Sequence, residues 1–270
     1  MNKKIGAANE SSLHRLLKYR YTGENGCTET AIGEFVCDGQ TGDGEIIEVQ
    51  TGSFGPLMKK VKTLSGEYRI KIIHPIIITR YIETMDINGN FLRKRKSAKK
   101  GSIWDLFTNL IYAPEMPELP KLCIELALID IVEKRVDDGT GSWRRKGIRI
   151  ADKSLTCWHS SVVLNCLKDY YQFIPFKKNE TFSAKSLGEK AGINQALAGK
   201  CLYVMRKLNL VKKIGKEKNA YVYRRTAKTG ILQTPPKKTA KKPSVPSKKK
   251  TGQGLKPQAK MKKKTGKKNP

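Results

Sequence analysis

The sequence predicts an α/β fold, followed by a helical module and a lysine-rich tail. Up to about residue 150, segments with leucines at helical spacing alternate with apolar runs that are typical of strands. Between residues 155 and 225 the pattern changes to helices and one hairpin. Residues 226–270 contain fifteen lysines and no acidic residue. Such a segment cannot bury enough apolar surface to offset its chain entropy, so we expect it to be disordered.

Each element of the first region carries a local signal. Residues 11–21 place Leu13, Leu16 and Leu17 at helical spacing, with Asn9 as the expected N-cap. The long apolar stretch at residues 122–132 is typical of a strand in a sheet that is covered on both faces. The other predicted elements are a hairpin at 33–50, a short basic helix at 57–64, strands at 68–78 and 79–85, and a helix at 102–112.

The net charge indicates a polyanionic partner. The chain carries a formal charge of +30 at pH 7. Without the tail, residues 1–225 still hold 39 basic and 24 acidic side chains, so the excess belongs to the folded region as well. A large positive charge favours nucleic acid over a membrane surface or an acidic protein. The alternative is that the lysines only keep the protein soluble.

Cysteine usage and hydropathy indicate an intracellular protein. The six cysteines are scattered without a CxxC pair, which fits neither a zinc site nor a compact disulfide framework. The first residues lack the apolar core of a signal peptide. The longest apolar run, residues 70–78, is interrupted by Lys71, His74 and Pro75. We therefore expect no membrane span and a cytoplasmic, nucleoid-associated protein.

Two carboxylates in the hairpin predict a metal site. If residues 42–44 form a three-residue loop with a left-handed Gly44, Asp38 lies directly opposite Glu48. Side chains alternate along a strand, so Glu48 and Gln50 share one face. Opposed carboxylates repel each other, and a divalent cation is the counter-charge that would hold them together. The pattern therefore predicts metal-assisted cleavage of a phosphodiester.

A third carboxylate, Glu10, lies near the start of the first helix. It is three residues before Leu13 and seven before Leu17, so helical spacing places it on the buried face. An inward-facing carboxylate is unusual and would fit the metal site. The alternative is a first-turn glutamate that the helix dipole favours. The pattern does not distinguish the two. His14, one turn from Glu10, is either a residue at the edge of the site or, more commonly for such a position, a surface or half-buried histidine.

A Gly-rich loop at residues 137–147 carries one aromatic side chain and three cations. They are Trp143, Arg144, Arg145 and Lys146. This composition suits a phosphate backbone and a stacked base. Packing over the sheet edge is the commoner fate of a single tryptophan, so the arginines are the stronger candidates. A second basic run, at residues 93–100, is predicted to help hold the nucleic-acid strand.

Residues 155–225 resemble a winged-helix domain. The pattern comprises a helix at 159–173, two short helices separated by Gly192 with Ser183 as an N-cap, and a hairpin with a basic tip. In such domains the second helix of the pair enters the major groove and the wing contacts phosphates. The positions that the resemblance assigns to DNA are Asn194, Gln195 and Lys200 for base edges, and Lys216 and Lys218 for phosphates. Many winged helices bind proteins instead, but the basic wing favours DNA.

The first region resembles the PD-(D/E)xK nuclease superfamily. The resemblance covers about residues 9–62 and rests on Glu10 in the first helix, Asp38 on one strand, and Glu48, Val49 and Gln50 on the next. It implies a restriction-endonuclease-like fold, in which helices flank a mixed central sheet. By position, Asp38 and Glu48 would ligate Mg²⁺ or Mn²⁺ with the Val49 carbonyl beside them. Glu10 would act through water.

One position departs from the superfamily pattern. The lysine that usually follows the glutamate by two residues is replaced by Gln50, and glutamine supplies no charge to the attacking water. Lys59 and Lys60 on the following helix are candidates to replace that lysine. Equally, Gln50 could mark a degenerate site that only binds.

The resemblances together imply three regions and a nuclease. Residues 1–152 would form the nuclease-like domain, residues 155–225 the winged-helix domain, and residues 226–270 the disordered tail. The implied function is that of a metal-dependent endonuclease that hydrolyses phosphodiester bonds of DNA. The alternative is a catalytically inactive nuclease-fold protein that binds DNA and acts as a regulator. An RNA target and a homodimer are both left open, and no membrane partner is expected.

Overall fold

The computed structural model describes residues 10–226 of the 270-residue chain. The expected N-cap Asn9 and the expected tail beyond Thr226 lie outside the described residues. Within that range the fold is mixed α/β. No helix between residues 10 and 226 is long and apolar enough to cross a membrane.

Helices are interspersed among groups of strands along this range. The helices are α1 (Ser12–Thr22), α2 (Met58–Leu64), α3 (Leu106–Leu110), α4 (Ala184–Ala191) and α5 (Gln195–Lys207). The strands are β1 (Cys27–Ile32), β2 (Phe35–Gln40), β3 (Ile46–Val49), β4 (Ile70–Met85), β5 (Phe91–Lys96), β6 (Leu122–Asp137), β7 (Ile148–Leu164), β8 (Thr181–Phe182), β9 (Val211–Glu217) and β10 (Ala220–Arg225).

A seven-stranded mixed sheet forms the centre of the fold. Its strand order is β1-β2-β3-β4-β6-β7, and β5 pairs with the last residues of β4. β3, β4 and β6 run parallel, while the other neighbours are antiparallel. Three antiparallel strands thus follow α1, and α2 connects them to the parallel strand β4. The expected mixed sheet with flanking helices is confirmed.

The two helices next to the β2–β3 hairpin cover opposite faces of the sheet. α1 buries Leu13 and Leu17 in a layer that contains Ile47. α2 packs Val61 into the layer that contains Ile46. Because successive strand residues point to opposite faces, Ile46 and Ile47 mark the two sides of the sheet. β6 contributes buried residues to both layers, which confirms the prediction of a strand covered on both faces.

The helix predicted at residues 159–173 is wrong. The structure has strand β7 up to Leu164 and a 3₁₀ helix over Leu167–Phe173. β7 is antiparallel to β6 from Ile148 to Leu164. A long partner strand, together with the β-branched Val162 and Val163, therefore outweighs the helical spacing of the apolar residues. The domain boundary expected at residues 152–155 falls inside this strand.

A small antiparallel sheet follows, in the order β8-β10-β9. Ser183 caps α4 as predicted, because its side chain accepts a hydrogen bond from the Ser186 N–H. Gly192 ends that helix with a φ of 66°, in the left-handed region. α5 begins directly afterwards, and β9 and β10 form the predicted hairpin.

The C-terminal elements share a core with the large sheet. The Phe107 ring on α3 lies 4.8 Å from the Phe173 ring, centroid to centroid, and meets it edge to face. Both rings belong to one buried cluster with Ile72 on β4 and Leu202 on α5. The sequence regions before and after residue 165 therefore pack as parts of one compact unit within the described residues.

Candidate functional site

The β2–β3 hairpin has the predicted register. Gly44 adopts a φ of 84°, and Gly39 pairs with Ile47. Glycine takes this left-handed conformation without steric cost, so the three-residue loop can form. Continued by one step, the register places Asp38 level with Glu48.

The regular backbone hydrogen bonding between β2 and β3 ends at Asp38. Its carboxylate accepts hydrogen bonds from the Val49 N–H at 2.7 Å and from His14 Nε2 at 3.2 Å. The Gln50 N–H donates to β4, so the N–H of the preceding Val49 faces β2. The Asp38 side chain thus replaces a backbone acceptor where the two strands separate. Burial raises the pKa of Asp38, but the hydrogen bonds from His14 and Val49 outweigh it and lower the pKa from its ordinary value.

Glu48 has an almost completely buried carboxylate. Its Oε1 accepts a hydrogen bond from Lys60 Nζ at 2.8 Å, and the same ammonium group donates to the Val36 carbonyl at 2.7 Å. Burial raises the pKa of Glu48, and the charge of Asp38 adds to the rise, which Lys60 only partly offsets. The two carboxyl groups therefore have pKa values shifted in opposite directions.

The two carboxylates do not share one open face as predicted. Asp38 contacts α1 through His14, whereas Glu48 contacts α2 through Lys60. α1 and α2 cover opposite faces of the sheet. The regular pairing of β2 with β3 ends at Gly39, and beyond it Asp38 no longer follows the pleat on which the alternation rule depends.

Glu10 lies before α1 and not in its first turn. Ser11 is the N-cap, since its side chain accepts from the His14 N–H. The N-cap predicted at Asn9 and the interpretation of Glu10 as a first-turn glutamate are therefore both wrong. The Glu10 carboxylate is 13% exposed and lies 2.7 Å from Lys18 Nζ and 3.8 Å from His14 Nε2. His14 therefore lies between Glu10 and Asp38. The sequence signal for this placement of His14 was its position one helical turn after Glu10.

The Gln50 side chain bonds to the loop that follows β3. Its amide donates to the Ser53 carbonyl, and its backbone carbonyl accepts from Nδ1 of His74. The parallel register would assign that carbonyl to the N–H of Pro75, which proline lacks. His74 supplies the donor instead, and burial lowers the pKa of its imidazole. A neutral histidine thus holds the end of β3.

The structure distinguishes between the two candidate lysines. Lys59 Nζ pairs with Glu34 at 3.2 Å, and its side chain is 75% exposed. Lys60 is rotated by about 100° around α2 relative to its neighbour and reaches Glu48. Lys60 is therefore the residue that can supply the charge that Gln50 lacks.

The donor atoms around Asp38 suit a hard divalent cation. Asp38 and Glu48 offer carboxylate oxygens, and the Val49 carbonyl points to the same side of β3 as the Val49 N–H, toward Asp38. Oxygen ligands of this kind are those that Mg²⁺ and Mn²⁺ prefer. Between residues 10 and 226, no group of three or more His, Cys, Asp or Glu side chains is arranged to hold a metal ion. The oxygens that lie together on the α1 side are therefore those of Asp38 and the Val49 carbonyl, whereas the Glu48 carboxylate lies on the α2 side and is paired with Lys60.

The Gly-rich loop presents its aromatic side chain to solvent. Trp143 is 83% exposed, so it does not pack over the sheet edge. The Arg144 guanidinium carbon lies 5.4 Å from the centroid of that ring. Arg145 Nε donates to the Ile148 carbonyl at 3.2 Å and is partly engaged within the loop. Lys146 is exposed, with a left-handed φ of 53°. Trp143 and Arg144 therefore form an exposed pair that suits a base and its phosphate.

The basic run at residues 93–100 overlaps the edge strand β5. All six residues of β5 are exposed, and four of them are cationic. Lys94 Nζ pairs with Glu83 on β4 at 2.9 Å. Charges on an edge strand also prevent pairing with another chain. The strand thus offers a row of cations on the same sheet as β6 and β7, the two strands that the Gly-rich loop connects.

On α5 and the hairpin, the predicted DNA contacts are placed unequally. The Asn194 side chain is the N-cap of α5 and accepts a first-turn N–H, so it is engaged with the helix. Gln195 is exposed and Lys200 is half-buried. Lys216 Nζ lies 4.9 Å from the centroid of an aromatic ring on β10. Lys218 occupies the hairpin turn with a φ of 52°.

The chain matches a known family over the large sheet. The family described as Domain of unknown function (DUF8091) matches residues 11–165, more than half of the chain, which therefore belongs to it. An uncharacterized protein of Treponema pallidum (strain Nichols) is 29% identical over 151 residues, which are 56% of this chain and 60% of that protein. The chain thus spans less than two thirds of that relative's length. No solved structure matches the chain.

Proposed function

We propose that this member of the DUF8091 family is a metal-dependent endonuclease that hydrolyses phosphodiester bonds of DNA. The proposal assigns a restriction-endonuclease-like fold to the large sheet and a winged-helix fold to the C-terminal elements. A mixed sheet between α1 and α2, with Asp38 and Glu48 on neighbouring strands, agrees with what the PD-(D/E)xK resemblance implies.

The contact between Lys60 and Glu48 carries the proposal. In the superfamily pattern a lysine two residues after the glutamate orients or activates the attacking water, and Gln50 cannot do so with a charge. Lys60 Nζ lies 2.8 Å from Glu48 Oε1 and comes from α2. The site thus keeps the cation that the chemistry needs, although a different element supplies it.

Asp38, Glu48 and the Val49 carbonyl would hold the metal ion, which requires the Glu48 carboxylate to turn from Lys60 toward Asp38. Bound Mg²⁺ or Mn²⁺ would stabilise charge on the phosphorus oxygens and lower the pKa of a bound water. His14 orients the Asp38 carboxylate through its Nε2 contact. Lys60 would orient the attacking water beside the scissile phosphate.

Several exposed cations would hold the DNA. Trp143 and Arg144 would take a base and a phosphate, and β5 would follow the backbone. The hairpin lysines Lys216 and Lys218 would contact phosphates. Gln195 is the exposed candidate among the residues expected to reach base edges.

The test is cleavage of plasmid and single-stranded DNA in the presence of Mg²⁺ or Mn²⁺. We expect the wild type to nick DNA and the double variant Asp38→Ala/Glu48→Ala to bind DNA without nicking it. Circular dichroism of both proteins controls for folding. Nicking that persists in the double variant would exclude this site as its origin.

The second candidate is a DNA-binding protein without turnover. It is favoured by the Gln50 side chain, which is bound to the Ser53 carbonyl, and by the contacts of Asp38 and Glu48 with different helices. This candidate predicts salt-sensitive DNA binding and no metal-dependent product from either protein.

A further inference from the structure

A cleft lies between α5 and the β9–β10 hairpin. Its volume is ≈ 250 Å³, and it is lined by Gly199, Tyr203 and Arg206 from the helix and by Lys213, Tyr221 and Tyr223 from the hairpin. None of the positions that the sequence assigned to DNA contacts lines this cleft.

The spacing of the lining residues explains why they meet. Gly199, Tyr203 and Arg206 follow each other at intervals of four and three, so they occupy one face of α5. On the hairpin, Tyr223 is level with Lys213, and the two therefore share a face. One face of the helix and one face of the hairpin together enclose the cleft.

Gly199 gives the cleft its depth. A Cβ built at this position would have no heavy atom within 4 Å, so no close packing requires a glycine there. Glycine in the interior of a helix is destabilising relative to alanine because it loses more chain entropy. The missing side chain leaves room for a flat group against the helix backbone.

The walls combine exposed aromatic rings with cations. Tyr203 is 41% exposed and Tyr221 is 43% exposed. Lys213 Nζ lies 3.3 Å from the Tyr221 ring centroid. Lys213 and Lys216 lower the pKa of Tyr221, which reflects the positive potential on this side of the hairpin. All six lining residues are neutral or cationic.

The size and chemistry of the cleft favour one nucleotide. Pockets for ordinary small molecules and cofactors have volumes of roughly 300–1,000 Å³, so this cleft suits a single ring system. Aromatic side chains stack on nucleobases irrespective of sequence, and neighbouring cations meet the phosphates. A base within a duplex is stacked on its neighbours and could not enter.

We propose that the cleft binds one unpaired nucleotide of a nucleic-acid strand. Its base stacks on Tyr203 over Gly199, and its phosphate contacts Arg206 and Lys213. This inference rests on the nucleic-acid partner of the proposed function, but it does not require cleavage. It assigns the protein to DNA with an unpaired end or flap in preference to continuous duplex.

The test compares three labelled DNA duplexes by fluorescence anisotropy in EDTA, where no metal-dependent cleavage occurs. The first is fully paired, the second carries a short unpaired flap, and the third carries a flap of the same length made of abasic nucleotides. The abasic flap keeps the phosphates and removes the bases. We expect the flap with bases to bind about tenfold more tightly than the abasic flap, as a stacked base contributes.

Matched variants test whether the difference in affinity between the two flaps arises in the cleft. Gly199→Leu fills the cleft and Tyr203→Ala removes the stacking ring, so both should abolish the tenfold difference while duplex binding persists. Tyr203→Phe keeps the ring and should retain the difference. Gly215→Leu is the control for an added side chain, because Gly215 also has no heavy atom within 4 Å of a built Cβ and does not line the cleft.

Each outcome decides between the alternatives. Equal affinity for the two flaps, with normal duplex binding, would overturn the cleft proposal and leave the proposed function intact. Binding to none of the three DNAs would overturn both. Competition by a free nucleoside monophosphate as effective as that by the flap would show a site for free nucleotides instead of a strand.

Discussion

The Lys60 ammonium group lies 2.8 Å from the Glu48 carboxylate and joins α2 to β3. The side chains are 21% and 6% exposed, so solvent and salt screen the pair only weakly. Removal of either partner leaves the other buried without its counter-charge. The pair is therefore a structural contact as well as a candidate catalytic one.

We expect Lys60→Met to lower the free energy of unfolding by about 1–3 kcal/mol, because Glu48 loses its donor inside the protein. The double variant Lys60→Met/Glu48→Gln should recover part of this loss, since no unpaired carboxylate is left. Urea denaturation measures both values. Lys59→Met is the matched control and should change the value by less than about 0.5 kcal/mol, because Lys59 is exposed. An equal loss in the two single variants would contradict the buried pair.

Asp38 can be tested separately for its charge and for its hydrogen bond. Asp38→Asn keeps an oxygen that accepts the Val49 N–H, so the free energy of unfolding should change little. Asp38→Ala leaves that N–H without its acceptor and should cost about 1–3 kcal/mol. Both variants should lose DNA cleavage, because both lose the metal-binding charge. Cleavage that survives in Asp38→Asn would show that the charge is not needed.

Asp152 ties β7 to the start of α1 and should make stability depend on pH. Its Oδ1 accepts the Ser12 N–H at 2.8 Å. Burial raises the pKa of Asp152, but hydrogen bonds, led by that of Ser12, outweigh it and lower the pKa. The contribution is therefore complete above the unfolded pKa of about 3.9 and is lost as the pH falls through the lower folded value. Asp152→Ala should cost about 1 kcal/mol at pH 7 and progressively less below pH ~4, as thermal melts at several pH values would show. A pH-independent cost would contradict this assignment.

The lysines beyond the described residues should affect the salt dependence of DNA binding. Residues 227–270 contain fifteen lysines, and each phosphate contact adds about 0.9 to the slope of log K against log salt. Deletion of this segment should reduce the slope while the remaining residues 1–226 still bind DNA. Anisotropy titrations at several salt concentrations measure it. An unchanged slope would exclude contact between these lysines and DNA.

Turn and cap residues correctly predicted the elements whose geometry depends on only a few neighbouring residues. The hairpin register follows from Gly44, whose left-handed φ determines how the two strands meet. The caps of α4 at Ser183 and Gly192 follow in the same way from side-chain and backbone preferences. The sequence also predicted the basic helix that supplies Lys60.

Tertiary contacts determined what the sequence patterns missed. Glu29 has a φ of 57° on β1 beside Asp38, and this irregularity accompanies the end of the β2–β3 ladder. The alternation of side chains along a strand does not predict a left-handed residue such as Glu29. The separation of Asp38 from Glu48 was therefore not predictable from the sequence. The residues at 159–164 have helical spacing but pair with β6, a strand about 35 residues earlier in the chain. The α5 cleft likewise depends on a helix and a hairpin whose packing no local pattern specifies.

The shared core around Phe107 and Phe173 has a consequence for the products of the proposed enzyme. A hinge between two regions needs few buried contacts, but here both rings are completely buried between them. The α5 cleft and the Asp38–Glu48 region are therefore held at a fixed separation, and a strand that occupied both would be cut at a constant number of nucleotides from its unpaired end. This separation would determine the length of the cleavage products, which would have one length and not a broad distribution.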